Sequence, residues 1–192
     1  LQVELELADG STVTWTSDRS WVAGPGRITG SDPKHGERVD LRISDEDWLA
    51  KPTAPLRFAP VELLPPHPRR LIAEEVPRVG ELQRLAPVRI WRSPAGRQLV
   101  DFGQNAAGVV RIRLAGQAGT TVRLTFSEVL TPGGELDTGY IHEHSKDGWA
   151  QRDEVVLDGT PTWWQPWFTI HGFRYLQVDG VDGELAPDDV EY

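Results

Sequence analysis

Leu99-Val100-Asp101-Phe102-Gly103-Gln104-Asn105-Ala106-Ala107-Gly108-Val109-Val110-Arg111-Ile112-Arg113-Leu114 is the stretch on which the fold turns. Gln98 to Phe102 reads as a strand, and the polar, glycine-containing run after it reads as a turn. Val109 to Leu114 then alternates, with Val110, Ile112 and Leu114 on one face and Arg111 and Arg113 on the other. Gly103 marks a backbone conformation that other residues adopt only under strain. Asp101 and Asn105 carry oxygens that accept from nearby amides and lock a turn. Gln104 or Asn105 either completes that turn or projects to a ligand or an adjoining domain.

The pattern continues on both sides. Downstream, Thr121 to Leu130 places Val122, Leu124 and Phe126 on one face, Asp153 to Leu157 forms a short strand, and Thr162 to Ile170 and Gly172 to Asp179 form the last long ones. Gly116–Gly119, Pro132-Gly133-Gly134 and Asp158-Gly159 punctuate them, Tyr140 to Gly148 is a polar loop, and Gly180 to Tyr192 is an acidic tail. Upstream, Leu1, Val3, Leu5 and Leu7 alternate with Gln2, Glu4 and Glu6 as a half-buried strand, which turns at Asp9-Gly10 into Ser11–Thr16. Arg27 to Arg42 is a polar loop with a short alternating end at Val39 and Leu41. Asp45 to Leu49 fits one helical turn capped by Ser44. Leu71–Ala73 and Val76–Ile90 read as edge strands. Strands of five to eight residues, turns between them and almost no helix predict an all-β sandwich or jelly roll.

Length permits one large domain or two small ones; the 192 residues are expected to form a single module. Prolines at 52, 55, 60, 65, 66 and 68 make 51–68 an extended connector, and the alternative division is 1–50 and 86–192. A chain of this size buries roughly two-thirds of its extended surface, so a core forms without staples. It has none to use, because there is no cysteine. Methionine is also absent, which suggests a mature fragment or an excised piece of a longer protein. No apolar run approaches the roughly 18 residues that span a bilayer.

The 29 acidic and 20 basic residues leave a net charge of -9, which argues against nucleic acid and suits a neutral ligand such as a sugar. Six or more of the eight tryptophans are expected to be structural. In Trp163-Trp164-Gln165-Pro166-Trp167, one indole is expected in the core and one outside, as a sugar platform or an interdomain contact. Asp32, Glu37 and Asp40 lie in a Gly/Pro loop and are hard oxygen donors of the kind Ca²⁺ takes, although their spacing matches no EF-hand. His142, Glu143, His144 and Asp147 invite zinc, and a solvated loop explains them equally. Glu128, Glu135, Glu143 and Asp153 are acids, but nothing in the sequence sets two of them roughly 5 to 10 Å apart as glycoside hydrolysis needs. No catalytic residue is assigned.

Five segments, in order, resemble the non-catalytic β region of bacterial α-L-rhamnosidases. They are Leu5–Ser11 with Ser17–Trp21 and Gly24-Pro25; Asp32 to Arg42; Val100 to Arg113; Ala118–Val122 with Ser127–Leu130; and Trp164 to Val178 with its His171-Gly172-Phe173-Arg174-Tyr175. The resemblance implies a jelly-roll, concanavalin-like module that in some members binds terminal L-rhamnose through Ca²⁺. It also implies a parent glycoside hydrolase whose hydrolytic acids sit in a separate catalytic helical barrel. By position in the Asp32 segment, Asp32, Glu37 and Trp48 are candidate sugar residues, with Asp32 and Glu37 the candidate Ca²⁺ ligands; Asn105 is a fourth sugar candidate. His35, with Lys34 before it, replaces the family's aromatic and Asn ahead of Gly-Glu, and Trp167 replaces an Arg. His35 is therefore carried as a substituted sugar-site position. Three roles follow: a rhamnose-binding module, a spacer docked on the barrel without sugar binding, and a small hydrolase.

Overall fold

The computed structural model describes residues 1–44, 58–65, 72, 75–77, 79–142 and 149–192. They form two compact units: Leu1–Pro25 with Glu46–Val79, and Gly26–Asp45 with Gly80–Tyr192. These boundaries lie at other places than residues 50 and 86. The Asp45–Leu49 turn and most of the proline-rich segment fall outside the described residues.

In the first unit, β1 (Gln2–Glu6) pairs antiparallel with β2 (Thr12–Thr16), with Leu5 opposite Val13 and Val3 opposite Trp15. The Asp9-Gly10 turn forms as read: Gly10 has φ 81°, and the Ser11 amide donates to Asp9 Oδ1 at 2.9 Å. The strand is not half-buried, because all five residues of β1 are exposed on this two-stranded ribbon. β3 (Val22–Ala23) pairs with β6 (Ala59–Pro60).

The second unit is a β-sandwich, as the all-β expectation requires. A seven-stranded sheet runs β4-β5-β11-β10-β13-β8-β7, and a three-stranded sheet runs β12-β9-β14. The strands are β4 Ile28–Asp32, β5 Gly36–Asp40, β7 Arg89–Arg92, β8 Gln98–Gly108, β9 Arg111–Leu114, β10 Thr121–Ser127, β11 Arg152–Val156, β12 Thr162–Trp164, β13 His171–Asp179 and β14 Val190–Glu191. Alternation dictates the core: Val122, Leu124 and Phe126 of one sheet meet Ile112, Leu114 and Trp164 of the other in one cluster. Phe173 sits among Phe102, Phe126 and Tyr192, with ring centroids 5.8, 4.8 and 4.1 Å away.

Several expected boundaries move. The turn after Phe102 is a bulge inside an eleven-residue strand: Asp101 pairs with Tyr175 and Ala106 with Phe173, so 102–105 loop out against Arg174 alone. Gly103, at φ 82°, makes this bend possible. The 27–42 loop is largely the hairpin β4–β5, inserted by parallel pairing of β5 on β11. Of the described residues of 76–90, only Arg89 and Ile90 join a strand; Pro77 and Pro87 withhold ladder donors. Thr162–Ile170 stops at Trp164 before Pro166. The acidic tail is structural, since Val190 is buried and Tyr192 stacks on Phe173. Residues 139–142 form a one-turn helix, α1, at the start of the expected loop.

Candidate functional site

The β4–β5 hairpin carries the chemistry. Gly36, at φ 138°, begins β5 where a Cβ would lie 2.1 Å from the Arg152 carbonyl oxygen, so only glycine lets β5 settle beside β11. The next residue, Glu37, is thereby driven fully inside. Its amide donates to Asp153 Oδ1 at 2.8 Å. Its carboxylate Oε2 accepts the amides of Trp167 and Phe168 at 3.1 and 3.0 Å. Asp153 Oδ1 also faces His171 Nε2 at 3.0 Å, and His171 Nδ1 faces Gln151 Oε1 at 3.0 Å. The imidazole stacks on Phe126, centroids 4.1 Å apart. Glu37 Oε1 and Asp153 Oδ2 are buried without a hydrogen-bond partner.

Burial pushes the Glu37 carboxyl above the ordinary carboxylate range. The two amides and Arg27 pull the other way, and the Asp153 charge adds to the rise.

Glu37 lines a groove of about 330 Å³ with Arg27, Arg111, Trp163, Gln165 and Trp167. The bond from Glu37 to residues 167 and 168 fixes the loop that presents Trp167, which is 71% exposed. Trp163 is 41% exposed and carries the Arg111 guanidinium 4.5 Å from its ring centroid. Trp164 turns inward, as alternation predicts. The arrangement sets an exposed indole, a side-chain amide and guanidinium groups around one concavity, which suits a polyhydroxylated ring.

The sequence-derived candidates do not converge. The register sets Ser31 opposite Glu37 and Asp32 opposite Gly36, so Asp32 and Glu37 leave opposite faces of the ladder and are not brought to one cation. Asp32 instead caps the hairpin: its Oδ1 accepts the amides of Lys34 and His35, each at 2.8 Å, and those bonds hold its carboxyl below the usual range. His35 Nδ1 lies 3.0 Å from the same oxygen. His35 lines a separate hollow of about 230 Å³ with Glu128, Tyr140 and Gln151. Asn105 stands exposed on the β8 bulge, and Trp48 lies outside the described residues. So do Glu143, His144 and Asp147 of the zinc suggestion. Among the described residues no three His, Asp or Glu side chains gather closely enough to hold a metal ion. Among the described residues Trp15, Trp21, Trp163 and Trp167 are exposed, against an expectation that six or more of the eight tryptophans are structural. Arg27, Arg111 and Gln165 were missed; the outward phase of Arg111 on β9 was the one available signal.

The profile of the bacterial alpha-L-rhamnosidase concanavalin-like domain matches residues 91–192, more than half of the chain. The chain belongs to this family. An α-L-rhamnosidase of Streptomyces avermitilis is 34% identical over 200 residues, which take in 98% of this chain and 18% of the enzyme. Two crystal structures share the fold. The α-L-rhamnosidase of Aspergillus terreus superposes at a TM-score of 0.84 with 31% identity, covering 98% of this chain and 21% of that one. The S. avermitilis enzyme complexed with L-rhamnose gives 0.77 and 31%, covering 99% and 18%. The chain thus spans about a fifth of the length of the relatives it matches.

Proposed function

We propose that this chain is a non-catalytic carbohydrate-binding module of an α-L-rhamnosidase-type glycoside hydrolase, and that its groove takes terminal L-rhamnose. The observation that carries the reading is the exposed Trp167 indole at the edge of a concavity that Arg111 and Gln165 also line. Rhamnose is a neutral 6-deoxy pyranose. Its hydroxyls exchange hydrogen bonds with guanidinium and side-chain amide groups, and its C–H face and methyl group rest on an indole. Held near the catalytic helical barrel of the parent, the module raises the local concentration of rhamnosyl ends without chemistry of its own. Ca²⁺ does not fit as a bridge here, because the two carboxylates implied for it, Asp32 and Glu37, leave opposite faces of the ladder.

Calorimetry with L-rhamnose tests the reading, run with added Ca²⁺ and with EDTA. Binding under both conditions, abolished by Trp167→Ala at an unchanged unfolding midpoint, is expected. Silence throughout refutes it, and loss on chelation returns a cation to the site. An aryl rhamnoside should not turn over on the isolated chain.

A second reading rests on the same loop. Trp167, Phe168 and Ile170 are all exposed, as a docking strip would be. If the strip docks on the catalytic barrel, Trp167→Ala lowers the unfolding temperature of the full-length parent while leaving that of the isolated chain unchanged.

A further inference from the structure

The rhamnose groove does not end at Arg111 and Gln165. Both residues also line an adjoining hollow of about 370 Å³, bounded by Arg84, Gln104, Gly108 and Tyr192. We propose that the two form one continuous site for an extended neutral glycan, with a rhamnosyl end beside Trp167 and at least one further sugar in the hollow. This inference rests on the reading of the groove as a sugar site and names the length and polarity of its ligand.

Three observations carry it. First, the floor of the hollow is built from small residues, Ala106, Ala107 and Gly108, directly after the β8 bulge that lifts Gln104 out of the ladder. A bulge re-aims side chains where a regular strand cannot, and this one puts an amide with two donors and an acceptor at the hollow's wall. The polar run of 103–105 thereby has a role that turn formation alone does not give it.

Second, the charges of the hollow cancel. Arg84 reaches Glu81 at 2.7 Å and Glu191 at 3.1 Å, and Arg111 reaches Glu191 at 2.7 Å. Two guanidiniums against two carboxylates leave no net attraction for a uronate or a phosphate. A neutral polyol meets fixed donors and acceptors that are already oriented by one another.

Third, Tyr192 gives the hollow a rigid aromatic wall. Tyr192 is fixed there by its stack on Phe173 and by the closeness of Gly108, where a Cβ would meet its ring at 2.6 Å.

Calorimetry comparing L-rhamnose with an α-L-rhamnosyl-D-glucose disaccharide tests this on the wild type, Gln104→Ala and Trp167→Ala. The disaccharide is expected to bind at least tenfold more tightly than rhamnose. Gln104→Ala should erase most of that gain, leave rhamnose affinity within twofold and leave the unfolding midpoint unchanged, since Gln104 is exposed on the bulge. Trp167→Ala should remove binding of both. Equal affinity for the two sugars, or a Gln104→Ala variant that keeps the gain, overturns the extended site while the rhamnose groove stands. Binding of neither sugar overturns both.

Discussion

Glu37 is the residue whose replacement says most about how this module is held together. Glu37→Ala removes the acceptor of two amides, those of Trp167 and Phe168, at a position without solvent access. Each stranded amide costs about 1–3 kcal/mol. Part of that is returned because a carboxylate no longer has to be buried next to Asp153. The expected net loss is about 2–4 kcal/mol. Glu37→Gln keeps a carbonyl oxygen for both amides and removes the charge, so it should stay within about 1 kcal/mol of wild type at pH 7. The pH dependence has a definite sign. The folded carboxyl titrates above its ordinary value of 4.5, so the native state holds the proton more tightly than the unfolded chain. The Glu37 contribution to stability is therefore complete below 4.5 and is lost as pH rises through the folded value. Urea unfolding followed by tryptophan fluorescence between pH 4 and 8 reads both effects, and Glu37→Gln should flatten the slope. If Glu37→Gln is as unstable as Glu37→Ala, the anion rather than the acceptor holds the loop, and the reasoning fails.

Other expectations follow from the packing. Phe173→Ala empties the centre of an aromatic cluster and should cost about 3–5 kcal/mol by calorimetry, against under about 1.5 for a Leu-to-Met exchange at the neighbouring Leu176. Asp101→Asn breaks the two-pronged contact with Arg174, 2.8 and 2.9 Å, and should cost about 1–2 kcal/mol, a figure reduced because Arg174 is partly solvated. Arg174 also holds Asp101 below its ordinary 3.8. That contribution is intact above 3.8 and is lost as pH falls through the folded value, so an acid titration of Asp101→Asn should lack this part of the wild-type decline. Gly36→Ala drives a Cβ into the Arg152 carbonyl and should cost more than about 4 kcal/mol. Amide exchange in β11 should accelerate in that variant, and unchanged protection would show that β5 tolerates a side chain there.

The regular strands were legible because their alternation is local: Val110, Ile112 and Leu114, and Val122, Leu124 and Phe126, are buried as their phase requires. The two most recognisable segments were each visible, yet their connection was not. Asp101 of one grips Arg174 of the other across 73 positions, and no local pattern encodes such a partner. The surroundings of Glu37 were not legible, because a charged residue in a polar run reads as solvated or metal-bound, whereas its Oε2 accepts a backbone amide 130 positions away inside the fold. Val190 and Tyr192 were hidden by the acids around them, and Arg27 and Gln165 had no signal of their own. The continuation of β8 past Phe102 was obscured because a bulge and a turn use the same residue types.

The seven-stranded sheet also borrows two of its strands, β4 and β5, from far away in the chain. β5 pairs with β11 across some 116 positions, and the segment that carries it is flanked on both sides by pieces of the other unit. A fragment begun at residue 91, where the family profile starts, would therefore leave β11 with bare main-chain groups along one side and Asp153 deprived of the amide it receives. Such a truncation invites strand-to-strand aggregation. The β4–β5 hairpin closes locally, but β5 has no β11 to pair with until the chain has been made beyond residue 152.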